Sequence, residues 1–249
     1  FRILALRLAT GVMILPQRNP LVLAKELATL DRLSGGRLVA GFPVGSPMDT
    51  NFCYGQIPAL TRDKYAEAHE MIMRAWQEDE PFAFDGKYNQ LRYVNCWPKP
   101  IQKPHPPIGM SVIRGGSMAA TMAGQRGYLP ISTNLVAAST LTQHWQTYSA
   151  GATDAGLPEP ERTCWRISRS IIVGDSEQLA WDYALDTQSS FYRSFEYLIV
   201  VLSGAHMLHI MKHDESVPDT EVTPDYLIRN LCIIGDTKSC VDQLEELWE

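Results

Sequence analysis

Apolar residues fall along this chain in short runs that alternate with stretches of helical periodicity. Ile3 to Leu15 is apolar, partly β-branched and closed by Pro16, the pattern of a buried strand feeding a loop. Asn19-Pro20 then predicts a helix start, because Asn suits the N-cap and Pro the first helical position. Leu23, Ala24, Leu27, Ala28 and Leu30 recur at three- and four-residue spacing until Gly35-Gly36 ends the pattern. Leu38 to Phe42 is a second apolar run. The opening therefore reads as strand, helix, strand, and connections this short favour a parallel crossover.

The alternation continues. Leu60 to Glu78 puts Tyr65, Ala68, Ile72, Ala75 and Trp76 on one helical face, and the connector "CWPKPIQKPHPP" can be neither helix nor central strand. Strands are predicted at Ile108–Val112, Tyr128–Ser132 and Trp165–Val173. Helices are predicted at Ser117–Gln125 and Leu135–Ala150 and from Ser176 onward. A minor extended piece, Leu231–Ile234, precedes a last helix at Thr237–Trp248. Strands separated by helices imply a parallel α/β architecture. With no repeat and no linker composition the chain reads as a single domain, 1–249, and "KHDESVPDTEVTPD" reads as a polar surface insertion.

Composition narrows the function. The chain has 249 residues, 45% hydrophobic and 20% charged, with a net charge of −6. It carries no cluster of Lys or Arg to meet a phosphate backbone or an anionic bilayer, so neither nucleic acid nor membrane is expected as a partner. No apolar run reaches the length of a spanning helix. The start "FRILALRLAT" lacks an initiator methionine and a cleavage site and looks like the middle of a strand. Five scattered cysteines without a C-x-x-C argue against a disulfide framework or a zinc site, and a reducing cytoplasm is the expected compartment.

Several segments, in order, resemble the bacterial-luciferase-like family of flavin-dependent monooxygenases and their deazaflavin-dependent relatives, which are TIM (β/α)8 barrels. "TGVMILPQRNPLVLAKELATLDRLSGGRLVAGFPVG" resembles the family's third strand, third helix and fourth strand. "PPIGMSV" with "GGSMAATMAGQRG" resembles the fifth strand and helix, "CWRISRSIIVGDSEQLA" the seventh strand, and "IIGDTKSCVDQLEEL" a late helix start. The resemblance implies an incomplete luciferase-like barrel, approximately strands three to seven, closest to the two-component enzymes that act on terpenoid ketones or olefins. The family's usual catalytic histidine belongs to a part absent from this sequence, so no catalytic residue is assigned.

Flavin chemistry belongs largely to the cofactor, and the protein must hold the phosphate, bury the ring and control solvent. Arg114-Gly115-Gly116-Ser117 lies between a strand end and a helix start, where backbone N–H groups, a hydroxyl and a positive dipole end converge on an anion. The same residues would also serve as an ordinary turn with a serine N-cap. The resemblance favours the phosphate site. Gly41 to Gly45 is another glycine turn at a strand end, and luciferases proper carry an arginine in it where Val44 stands here, which leaves Arg114 as the cationic partner. The resemblance also implies, at Gly11–Val12, a non-prolyl cis peptide or at least a bulge at the sheet's C-terminal rim, set against the flavin ring; an ordinary extended Gly-Val is the alternative. Met13, Phe42, Met48, Phe52, Tyr54 and Met110, at or just after strand ends, are candidates for an apolar substrate pocket. Arg169, in an otherwise apolar strand, would face flavin or substrate at the barrel mouth, or form a structural salt bridge. His69, His105, His144, His206 and His209 have no identifiable orienting partner and read as structural or surface residues.

The reading is an FMN-dependent monooxygenase that receives reduced FMN from a separate flavin reductase and uses O2 to oxygenate a small apolar ketone, aldehyde or olefin, with assembly into an oligomer left open. Two rivals remain: a deazaflavin-dependent hydride-transfer enzyme on the same barrel, and a flavin-binding paralogue without catalysis.

Overall fold

A computed structural model describes residues 6–45 and 54–248. The chain divides into two compact units, Phe1–Ser111 and Val112–Glu249.

In the first unit, β1 (Leu8–Ala9), β2 (Leu38–Gly41) and β5 (Ile108–Val112) run parallel with β2 in the middle. α1 (Pro20–Ser34) links β1 to β2 and is set by local signals. Asn19 Oδ1 accepts from the N–H groups of Leu21 and Val22, both at 3.1 Å, and Pro20 occupies the first turn. Gly35, with φ of 70°, closes the helix: Gly36 N–H donates to Asp31 O and Gly35 N–H to Arg32 O, satisfying carbonyls that the helix leaves unpaired. α1 buries Leu23, Ala24, Leu27, Ala28 and, unusually for a carboxylate, Asp31. Asp31 accepts from Ile101 N at 2.8 Å, Gln102 N at 2.9 Å and Gln102 Nε2 at 2.7 Å, pinning the proline-rich connector to the helix. α2 (Thr61–Gln77) packs beside α1, with Trp76 Nε1 donating to Ala24 O at 2.9 Å.

Two local differences from the sequence reading have clear causes. Among the described residues, the apolar run predicted as one strand to Leu15 forms its ladder pairs at Leu8–Ala9, because Gly11 adopts φ of 67° and Leu15–Gln17 winds into a 3-10 turn. After α2 the chain forms an antiparallel hairpin, β3 (Phe82–Asp85) and β4 (Gln90–Val94), unmarked by apolar alternation since most of its side chains are exposed. Glu67 of α2 anchors its turn. Burial works to raise the pKa of this carboxyl, but hydrogen bonds from Asn89 and Tyr88 outweigh it and the net shift is downward.

The second unit contains α3 (Met118–Gln125), β6 (Leu129–Ser132), α4 (Leu141–Asp154), β7 (Arg166–Ile167), β8 (Ser170–Val173), α5 (Glu177–Ala184), α6 (Ser190–Gly204), α7 (Pro224–Leu231), β9 (Cys232–Gly235) and α8 (Thr237–Trp248). The predicted strand Trp165–Val173 is split. β7 pairs parallel with β6 and β8 pairs parallel with β9, so the backbone changes partner across Ser168-Arg169. α3 and α4 approach closely because a side chain on Gly124 would meet Tyr148 O, and one on Gly151 would meet Thr121 O. Phe195, Leu202, Met211, Leu227, Ile228 and Ile234 form this unit's core. The strand pairs in both units are parallel and separated by helices, as in a (β/α) barrel, apart from the hairpin. Cys96, Cys164, Cys232 and Cys240 are free, and among the described residues no helix is long and apolar enough to cross a membrane.

Candidate functional site

The C-terminal end of β1 carries a bulge. Leu8 N–H donates to Arg37 O and Thr10 N–H to Val39 O, each step advancing two residues on both strands. The next bond comes from Met13 to Gly41 O, so β1 advances three residues while β2 advances two. One residue is inserted at Gly11–Val12, with Gly11 in the left-handed region. The peptide is not cis: both cis bonds among the described residues, Trp97–Pro98 and Lys103–Pro104, precede prolines. The bulge therefore forms through the φ that glycine alone adopts freely, without the cost of a non-prolyl cis bond. Its carbonyl is received by Gly41, where a Cβ would lie 1.8 Å from Gly11 O. Val12 is 58% exposed, which presents an apolar side chain at the rim.

Arg114-Gly115-Gly116-Ser117 follows β5 directly and leads into α3, as the sequence reading requires. Ser117 is the N-cap, its Oγ accepting from Ala120 N at 3.2 Å, and Gly116 holds φ of 64°. α4 lies against this loop. Thr147 Oγ1 accepts from Gly116 N at 3.2 Å, and Gln143 stands where a side chain on Gly115 would go. The Gly116 N–H is thus already engaged, leaving Arg114 and the first turn of α3 to meet an anion. Arg114 is exposed and makes no ion pair or hydrogen bond among the described residues.

The substrate-pocket candidates separate. In a parallel ladder, paired residues share a face, so the Ala40–Ile108 pairing puts Phe42 and Met110 on one side. That side is covered by helix: the Phe42 ring stacks on Trp76 at 6.0 Å and meets His69 edge-on at 6.5 Å. Phe42 and Met110 are both fully buried. They are core residues under α2 and do not line a pocket, a correction to the sequence reading. The opposite face carries Val39, Gly41, Gly109 and Ser111. Sequence reasoning missed these because all of β2 is buried and its two faces look alike. Met13 is half-buried just past the bulge, Tyr54 is 67% exposed, and Met48 and Phe52 lie outside the described residues.

Arg169 forms no salt bridge among the described residues. Its Nη1 donates to Ser168 O at 3.0 Å and Thr133 O at 3.4 Å. Burial pushes this guanidinium's pKa down, and it pushes the neighbouring Cys232 thiol up to about 12. Nearby, Ser132 Oγ meets His144 Nδ1 and Trp165 Nε1, each at 2.9 Å. Burial, with the Arg169 charge adding to it, lowers the His144 pKa to about 4. His144 thus does have an orienting partner, Ser132, which a separation of twelve positions hid from pattern reading.

Comparison with known proteins fits this geometry. The profile of the family described as luciferase-like monooxygenase matches residues 5–249. The 4-hydroxyprotoasukamycin monooxygenase of Streptomyces nodosus subsp. asukaensis is 27% identical over 250 residues, covering 98% of this chain and 64% of its own length. Among solved structures, a type II Baeyer–Villiger monooxygenase is similar with a TM-score of 0.82 and 21% identity, covering 97% of this chain and 69% of its own. That protein is the oxygenating constituent of 3,6-diketocamphane monooxygenase from Pseudomonas putida, in complex with FMN. An F420-dependent secondary alcohol dehydrogenase is similar with a TM-score of 0.67 and 19% identity, covering 97% of this chain and 70% of its own. The chain thus spans about two thirds of the length of these proteins.

Proposed function

This chain belongs to the luciferase-like monooxygenase family, and from that premise we propose that it is the flavin-binding part of a two-component monooxygenase. The enzyme takes reduced FMN from a separate reductase and uses O2 to oxygenate a small apolar ketone, aldehyde or olefin. The observation that carries the proposal is the loop after β5: an exposed, unpaired Arg114 beside a serine-capped helix start. Such a helix end presents unpaired N–H groups and a partial positive charge to a phosphate. Those residues fit the FMN phosphate. The Gly11–Val12 bulge, with its carbonyl locked against Gly41, fits the role of a ridge facing the flavin ring.

When bound, reduced FMN supplies the electrons and the activation of O2. The residues of this chain hold and orient. Arg114 and Ser117 fix the phosphate end, and Val12 and Met13 offer apolar surface that keeps water from the reacting oxygen. The FMN complex of the Baeyer–Villiger enzyme and the monooxygenase activity named for the Streptomyces relative support FMN and oxygen over deazaflavin.

The deciding experiment uses the full-length protein with a reductase, FMN and labelled O2. A product carrying one labelled oxygen is the expected result. Unlabelled product, or turnover without oxygen on reduced deazaflavin, would replace the proposal with hydride transfer. FMN binding without substrate-dependent oxygen consumption would leave a non-catalytic flavoprotein.

A further inference from the structure

The loop that carries Arg114 and Ser117 is held by a helix distant in sequence. Gly115 and Gly116 lie at its centre. Glycine has the most backbone freedom to lose, so an anion meets a ready-made site there only where something else orders the pair. α4 does so at both positions. Thr147 Oγ1 accepts from Gly116 N–H at 3.2 Å, with Gly116 at φ of 64°. Four residues earlier, on the same helix face, Gln143 lies against Gly115, its Oε1 1.8 Å and its Cδ 2.3 Å from where a Cβ would stand. The two side chains thus touch successive residues between the arginine and the capping serine.

α4 is itself fixed by the strands and by α3. His144 is buried, and its Nδ1 meets Ser132 Oγ at the end of β6 at 2.9 Å. Gly151 packs so closely on α3 that a Cβ there would lie 2.4 Å from Thr121 O, and a Cβ on Gly124 of α3 would lie 2.0 Å from Tyr148 O. These contacts set both the height and the rotation of α4, so Gln143 and Thr147 reach the loop from a firm support. A loop held this way keeps Arg114 and the first turn of α3 in one relation before a ligand arrives, and binding then needs less ordering. Neither Gln143 nor Thr147 carries charge. Arg114 and Ser117 remain the groups that meet the phosphate, and the part of α4 is to place them.

We propose that Thr147 and Gln143 are positioning residues of the phosphate site, through which α4 holds Gly115-Gly116 in the conformation that receives the FMN phosphate. The proposal rests on the flavin reading of this loop, and adds to it the element that sets the loop's shape.

The test compares FMN with riboflavin, which lacks the phosphate, by fluorescence titration of the full-length protein. Wild type is expected to bind FMN more tightly than riboflavin, and Arg114→Ala to lose much of that preference. Thr147→Val keeps the shape of the side chain and removes the hydroxyl; it should weaken FMN about three- to tenfold and leave riboflavin unchanged. Thr147→Ser keeps the hydroxyl and should bind FMN within about twofold of wild type. A wild-type ratio of FMN to riboflavin affinity in Thr147→Val, with the ratio lost in Arg114→Ala, overturns the inference and leaves the phosphate site standing. Equal weakening of both flavins also overturns it, because general support of the fold would not single out the phosphate. Equal affinity of wild type for the two flavins removes the phosphate reading and the inference with it. Where Thr147→Val fails to fold, Gln143→Ala decides by the same criteria, since its exposed side chain can be removed without opening the core.

Discussion

Replacing Gly41 with alanine puts the bulge at β1 to a direct test. The added Cβ would lie 1.8 Å from Gly11 O and 2.9 Å from Gly11 C, both backbone atoms that cannot swing aside like a side-chain tip. The contact must lengthen by more than about 1 Å to reach van der Waals separation. The Gly11 peptide is held on both sides, by Thr10 N–H to Val39 O at 3.2 Å, Gly41 N–H to Thr10 Oγ1 at 3.0 Å and Met13 N–H to Gly41 O at 2.9 Å. Moving it sacrifices about two hydrogen bonds at roughly 0.5–1.5 kcal/mol each, in addition to an overpacking cost of about 1–3 kcal/mol. The expected loss is about 2–6 kcal/mol. Urea denaturation of the full-length protein should show a midpoint lowered by about 1–2 M, for an m-value near 3 kcal/mol/M. FMN affinity should fall about tenfold or more, because the displaced carbonyl is the one proposed to face the ring. Gly204→Ala is the control: nothing lies within 4 Å of its Cβ, and it sits at the end of α6, so it should be neutral or slightly stabilising. Gly41→Ala within about 0.5 kcal/mol of wild type would refute the packing argument. A destabilised variant with unchanged FMN affinity would keep the bulge and sink its flavin role.

Asp31→Ala should cost about 2–4 kcal/mol in the same denaturation assay. It removes three charge-assisted hydrogen bonds, partly replaced by water because Ile101 and Gln102 are not buried; Asp31→Asn should cost less, since one oxygen can keep both backbone donors. His144 has a native pKa of about 4 against an ordinary 6.5, so the unfolded chain takes up the proton first as pH falls. Stability should therefore be lost between pH 6.5 and 4 by up to roughly 3 kcal/mol, and His144→Asn should flatten that limb in a pH series of urea midpoints. Arg114→Ala should weaken FMN binding about tenfold in a fluorescence titration while leaving the urea midpoint within about 0.3 M, because the side chain is exposed and makes no contact to lose.

The sequence alone determined whatever is set within a few residues. α1 could be read from Asn19-Pro20 to Gly35 because an N-cap, a first-turn proline and a left-handed glycine act on their own neighbours, and each does so in the structure. The loop from Arg114 to Ser117 was equally legible, since a strand end, two glycines and a capping serine are contiguous. Which face of a strand points where was not legible. Phe42 and Met110 were placed in a pocket because a strand buried on both sides carries no alternation, and only the ladder register and the stacking of Phe42 on Trp76 decide the face. The bulge at Gly11 was hidden in a uniform apolar run because it exists only relative to β2, whose Gly41 makes space for the carbonyl. The hold of α4 on the Arg114 loop was hidden as well, since Thr147 stands 31 positions after Gly116. Their contact follows from the packing of α4 on α3 and β6, and the tertiary structure alone decides it.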